Sequence, residues 1–356
     1  MTPLMRACAR GDMAECYRLL EARADVTPID LNGVSALHMA CDMGDDYLVH
    51  WICALRANVD QQDDGGHTPL MWACRYNTNV YVAEEIRGAN LHLQNRHGET
   101  ALHIACDGCN LTMVRWLLHK RADVNHADHA GITPLMLAAS TANWDTLDII
   151  EMLCAYGADV NYLNRYCDTA LDIATSNVIA VKKLYPRASK STVQSSFYWA
   201  CRYGYLSTAQ FLLPYVDVDH GVDGMTPFYG ACFEGSFITM RWLHSVGADV
   251  TIPYERTSPV KVVSRVHPSL LAWMVMHDTV LNHRGHVSRS KVRKVKNYRV
   301  IREEVSAMLR TDYALFLVLS SNKHSADTMT VIREFLGLPN ARHYRQMMEL
   351  KRLFNI

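Results

Sequence analysis

Thr68-Pro69-Leu70-Met71-Trp72-Ala73-Cys74 is the stretch on which the reading of this chain turns. Its first four residues recur as Thr2-Pro3-Leu4-Met5, Ser35-Ala36-Leu37-His38, Thr100-Ala101-Leu102-His103, Thr133-Pro134-Leu135-Met136 and Thr169-Ala170-Leu171-Asp172. The steps between copies from Thr2 to Thr169 are 33, 33, 32, 33 and 36 residues. A further copy is Thr226-Pro227-Phe228-Tyr229, with degenerate ones near Ser195 and Thr257. Each copy reads as a helix start. Thr or Ser accepts a backbone N–H at the N-cap, and Pro at the next position loses nothing by lacking one. Small residues such as Ala73 and Cys74 then let neighbouring helices approach.

Between the copies lie Ala-Asp-Val-Asn-like turns at Ala24, Ala57, Ala89, Ala122, Ala158 and Ala248, followed by glycines at Gly33, Gly66, Gly98, Gly131 and Gly224. Apolar pairs (Trp51/Ile52, Leu117/Leu118, Leu212/Leu213) mark a second helix in each period. The period, the Thr-Pro-Leu-His motif and the turn together resemble the ankyrin repeat family over about 1–275. That resemblance implies an all-α solenoid, each unit a β-hairpin turn and two antiparallel helices that bury their apolar faces only by stacking on neighbours.

Departures from the period set the expected boundaries. The chain starts inside its first repeat, read either as a native N-terminal cap or as a truncation. Repeat five has three extra residues around Ala142–Asp148, and Cys167 stands where a turn glycine is usual. The polar run 187–194 predicts a loop. The organisation expected is repeats over 1–186, a loop at 187–194, further repeats over 195–275, and a basic helical domain or cap over 281–356.

The 356 residues carry 36 Lys+Arg and 36 Asp+Glu, yet the balance is uneven. Residues 281–356 hold 15 basic and 6 acidic groups (+9), leaving 21 and 30 (−9) for 1–280. Val292, Val295, Tyr298, Ile301, Val305 and Met308 predict an amphipathic helix with a basic patch at Arg289, Lys291, Arg293, Lys294 and Lys296. That patch reads as a solvated face, as a contact with acidic protein, or as a binder of nucleic acid or anionic lipid. No apolar run exceeds seven residues, the length of Tyr313 to Leu319, against about 20 for a membrane-spanning helix. No secretory signal is visible, and eleven cysteines, an odd count, fit a reducing compartment. A cytoplasmic or nuclear location is therefore expected.

Cys8, Cys41, Cys74, Cys106, Cys201 and Cys232 share one repeat position. Stacked helices lie roughly 8–10 Å apart and a disulfide needs Cα atoms within about 7 Å, so these read as buried small residues. Cys106 and Cys109 have CxxC spacing with no second pair to complete a metal site. His67, His97 and His129 fall at turn tips without carboxylate or thiol partners at ligand spacing, so no metal or cofactor is expected. The family resemblance gives His38 and His103 a structural role, hydrogen-bonding locally to hold the turn. No G-x-S-x-G, P-loop, H-E-x-x-H or G-x-G-x-x-G motif occurs, and no enzymatic activity is expected.

The resemblance implies a protein–protein interaction scaffold that binds through hairpin tips and the face formed by the first helices. Carried over residue by residue, the candidate tip positions are Asp64, His67, Arg96, His97, Glu99, His129, Ile132, Arg165 and Tyr166. Candidate helix positions are Asp42, Met43, Arg75, Tyr76, Asp107, Arg202, Tyr203, Phe233 and Glu234. The competing expectation is nucleic-acid or anionic-membrane binding through 284–302. Arg23, Arg56 and Arg121 stand where Gly88, Gly157 and Gly247 stand in other repeats, a position for which the family implies left-handed backbone.

Overall fold

A computed structural model describes residues 1–75, 79–141 and 144–250, together with 252–255, 257, 259 and 262. The chain divides into two compact units, Met1–Val193 and Gln194–Ile356. The first holds six helix pairs. They are α1 (Pro3–Arg10) with α2 (Met13–Glu21), α3 (Ala36–Met43) with α4 (Asp46–Ala54), and α5 (Pro69–Arg75) with α6 (Val80–Glu85). Then come α7 (Ala101–Asp107) with α8 (Leu111–His119), α9 (Pro134–Ser140) with α10 (Trp144–Ala155), and α11 (Ala170–Ile173) with α12 (Val178–Leu184). Helix α13 (Lys190–Tyr203) crosses the division, and the second unit continues with α14 (Leu206–Leu212), α15 (Pro227–Glu234) and α16 (Phe237–Ser245). Among the described residues β-structure is confined to isolated bridges such as Ile29 with Ser35.

Each first helix begins as its residues dictate. Thr2, Ser35, Thr68, Thr133, Thr169 and Thr226 accept the N–H three residues on. In the first unit the first helices α1, α3, α5, α7, α9 and α11 stack in order, and the second helices α2 to α12 stack in a parallel row. The core lies between the rows. Leu4, Leu37, Leu70, Leu102, Leu135 and Leu171 are buried one per repeat, and the six repeat-position cysteines are buried in their own repeats. The extra residues of repeat five lengthen α10 to 12 residues where α8 has 9.

The run 187–194 departs from the loop expected. A 3₁₀ turn reaches Arg187, and α13 starts at Lys190. Ser189 caps it: the Ser189 hydroxyl accepts from the Thr192 N–H (3.2 Å), and the Val193 N–H donates to the Ser189 carbonyl (2.9 Å). A Ser/Lys/Thr cluster that reads as linker by composition is a helix N-terminus by chemistry. The helices expected over 281–356 lie outside the described residues.

Candidate interaction surface

One side-chain oxygen organises each hairpin tip of the first unit. Asp30 Oδ1 accepts from the N–H groups of Asn32 (2.9 Å) and Val34 (3.0 Å). Asn95 Oδ1 does the same for His97 and Glu99, Asp128 for Ala130 and Ile132, and Asn164 for Tyr166 and Asp168. Each tip is thereby closed from within, as an Asx turn closes, and then tied to its predecessor. The N–H of Asp64 donates to the Asn32 carbonyl (2.8 Å), Arg96 to Gly65 (2.8 Å), His129 to His97 (2.9 Å) and Arg165 to Ala130 (3.0 Å). At Gly66 (φ +81°) a Cβ would lie 2.9 Å from Asn95 Cα, so only glycine lets the tips approach this closely.

This ladder sorts the tip candidates. Asp64, Arg96, His97, His129, Arg165 and Tyr166 line the tips, and Tyr166 is 74% exposed. His67, Glu99 and Ile132 are recessed, and the first two are engaged within the ladder. His67 Nδ1 lies 3.3 Å from Asp63 Oδ1, and Glu99 Oε2 accepts from Asn95 Nδ2 at 2.6 Å. The Asx residues that build the tips are not among the sequence candidates. Their signal is present all the same: Asp or Asn recurs five residues before each motif at Asp30, Asp63, Asn95, Asp128 and Asn164.

The motif histidines tie one repeat to the next. His38 Nδ1 accepts from the Ser35 N–H (3.1 Å) and hydroxyl, while Nε2–H donates to the His67 carbonyl (3.0 Å). His103 repeats this with Thr100 and the Ile132 carbonyl. Both rings are buried, and burial lowers both pKa values from the ordinary histidine range.

Along the first helices Asp42, Arg75 and Asp107 are exposed at the C-terminal ends and Met43 is half-buried. Partial burial raises the Asp42 pKa, with Arg75 opposing the shift. Tyr76 and the basic patch Arg289, Lys291, Arg293, Lys294 and Lys296 lie outside the described residues.

In the second unit four candidates meet. Arg202 pairs with Glu234, its Nη2 2.9 Å and Nε 3.0 Å from one carboxylate oxygen. Its guanidinium carbon lies 5.3 Å from the Trp199 ring centre, 5.7 Å from Tyr203 and 5.4 Å from Phe233. Trp199 and Tyr203 stack at 5.7 Å with 12° between planes. Tyr203 is 51% exposed and Phe233 43%. A guanidinium held by an ion pair between aromatic faces is already ordered, so a partner meets a rigid aromatic surface at low entropic cost.

Among the described residues no group of three His, Cys, Asp or Glu is gathered as a metal site, and no helix is long and apolar enough to cross a membrane. Burial pushes the Cys8 thiol to about 12 and Cys53 to about 11, far from a nucleophile's range.

A family model described as ankyrin repeats, in three copies, matches residues 42–128 and 71–165. Residues 42–165 of this chain are ankyrin repeats. Palmitoyltransferase ZDHHC13 of Homo sapiens is 30% identical over 197 residues, 54% of this chain and 31% of that one. YahD of Escherichia coli K12 is 25% identical over 173 residues, 47% of this chain and 86% of that one. The crystal structure of another ankyrin repeat protein covers 52% of this chain and 98% of its own, with a TM-score of 0.48 and 23% identity. Of its palmitoyltransferase relatives the chain spans only 21% to 31% of the length. Ankyrin repeats are in general protein–protein interaction modules, and this chain has their tips, caps and stacked helices.

Proposed function

We propose that this protein is a non-enzymatic scaffold or adaptor that holds protein partners on its hairpin tips and on the exposed ends of its first helices. The observation that carries the reading is the ordered aromatic cluster around Arg202. An exposed tyrosine and phenylalanine flank a guanidinium already fixed by Glu234, and buried Tyr, Trp and Arg anchors dominate protein interfaces. The tip residues Arg96, His97, His129, Arg165 and Tyr166 add a second, regularly spaced set. Eleven cysteines, none in a disulfide and most of them buried, are compatible with work in a reducing compartment, the cytoplasm or nucleus.

The test is affinity capture with the full chain and with Tyr203→Ala/Phe233→Ala. Partners bound by the parent are expected to be lost from the double variant while its melting temperature moves little. Retention of every partner by a folded double variant would rule the cluster out. Binding that instead follows the basic segment 284–302 and falls steeply with salt would favour nucleic acid or anionic lipid.

A further inference from the structure

The first helix pair differs from the others in one chemical respect. Cys8, on α1, holds the repeat position that Cys41, Cys74, Cys106, Cys201 and Cys232 hold elsewhere. Eight residues after each of those five come Val49, Val82, Val114, Ala209 and Met240, all of them buried. Eight residues after Cys8 comes a second cysteine, Cys16, on α2. The two sulfur atoms lie 3.7 Å apart, and both side chains are buried. Packing alone does not call for this, because a valine fills the same place in each of the next three repeats.

The pair is close to bonding geometry. A disulfide holds its sulfurs at about 2.05 Å, so these need to approach by only about 1.6 Å. Rotation about the two Cα–Cβ bonds and a small shift of α2 on α1 supply that movement. Helix α2 is lightly held, for it buries only Cys16 and Leu20, whereas α4 buries Leu48, Val49 and Ile52 and α8 buries Met113, Val114, Leu117 and Leu118. An element with few buried contacts opens locally. In the closed pair burial keeps both thiols un-ionised, pushing Cys8 to about 12 and raising Cys16. Opening to water returns them to the ordinary thiol range of about 8.5, where thiolate is available.

We propose that Cys8 and Cys16 form a reversible redox modification site, closed to a disulfide by a peroxide and reopened by a small thiol. With α2 open, the Cys16 thiolate attacks one peroxide oxygen. The O–O bond breaks, hydroxide leaves, and the sulfur becomes a sulfenic acid. The Cys8 sulfur then attacks that sulfur and the S–O bond breaks, the leaving oxygen taking the Cys8 proton as water. In sum the two thiols lose two protons and two electrons, and the peroxide is reduced to two waters. Two equivalents of a small thiol reverse the step and leave as their own disulfide. Disulfides that form in reducing compartments are transient ones of this kind. Neither the tip residues nor the Arg202 cluster takes part, so the proposal stands or falls independently of the partner-binding reading.

The test uses the full chain, folded and reduced, treated with hydrogen peroxide until the exposed Cys167 is oxidised. The protein is then unfolded in an alkylating reagent and digested with trypsin. Cleavage after Arg6, Arg10 and Arg18 leaves the two cysteines on separate peptides, residues 7–10 and 11–18. A disulfide therefore appears in the mass spectrum as these peptides joined, about 2 Da lighter than their sum, and separated by dithiothreitol. The expected result is the joined pair from the parent, with Cys41, Cys74 and Cys106 still recovered as alkylated thiols. Cys16→Val carries the residue of the next three repeats, is expected to fold, and should leave Cys8 reduced under the same treatment. Recovery of Cys8 and Cys16 unlinked from the parent, whether alkylated or over-oxidised, would overturn the proposal. So would Cys8 joined to some other cysteine as often as to Cys16, the mark of random oxidation in unfolded chains.

Discussion

In His38 and His103 a single side chain links a helix cap to the next repeat, and protonation breaks that link. Each Nδ1 accepts from a backbone N–H and each Nε2–H donates to a carbonyl of the following tip, so only the neutral ring fits. Burial lowers both pKa values in the folded state. The unfolded chain therefore binds more protons as pH falls through the ordinary imidazole range of about 6.5, and stability drops with it. Chemical melts at pH 7.5 and 5.5 are expected to show lower stability at the acid value. His38→Gln is expected to flatten that slope while costing stability at both values; an unchanged slope would mean the acid sensitivity arises elsewhere. Arg23, Arg56 and Arg121 adopt φ of +56°, +62° and +63°, and they make a prediction of opposite sign. Arg23→Gly, Arg56→Gly and Arg121→Gly each exchange a strained backbone for a relaxed one, at the cost of a more flexible unfolded chain. Each is expected to gain about 0.5–1 kcal/mol in thermal melts. A loss in all three would mean that charge at the helix C-terminus outweighs the strain.

At the scale of elements, caps decide where helices begin. The Thr/Ser motifs were legible because N-cap, Pro and apolar positions recur together, and the expected first helices are present at every intact copy. Helix α13 was not legible from its start, because 187–194 is polar and its cap, Ser189, lies outside the recurring motif. Ser189→Ala removes that cap, and its hydroxyl also meets Thr192 and Ser191. A loss of about 1 kcal/mol is expected in urea melts, and no change would mean that backbone bonds alone hold the turn. The tips illustrate a different blindness. Their exposed positions came from the repeat resemblance, but whether a side chain is free or engaged depends on a neighbouring repeat about 30 residues away. Asn95 meets His67 in this way, 3.1 Å from Nδ2 to Nε2. Asn95→Ala leaves the His97 and Glu99 N–H groups without their acceptor, and about 1–3 kcal/mol is expected to be lost.

At the scale of the molecule, repetition is what made the fold readable. One repeat has too little apolar surface to stand alone, so the same buried Leu and Ala/Cys positions must recur in each, and recurrence is visible without coordinates. Function is less readable for the same reason: the scaffold fixes which positions face solvent, while partner choice depends on the side chains that vary there. Arg202, Tyr203, Phe233 and Glu234 were legible singly as exposed positions; that they assemble into one ordered cluster with Trp199 depends on packing between α13 and α15. The central claim, that this protein works by holding other proteins on its exposed tip and first-helix residues, is most directly tested by quantitative capture with the parent, Tyr203→Ala/Phe233→Ala and Arg96→Ala/His129→Ala at matched folded concentration. Proteins held by the parent are expected to be depleted from one or both variants, each hot-spot loss being on the order of 2 kcal/mol, about 30-fold in affinity. An unchanged partner set in both folded variants would contradict it.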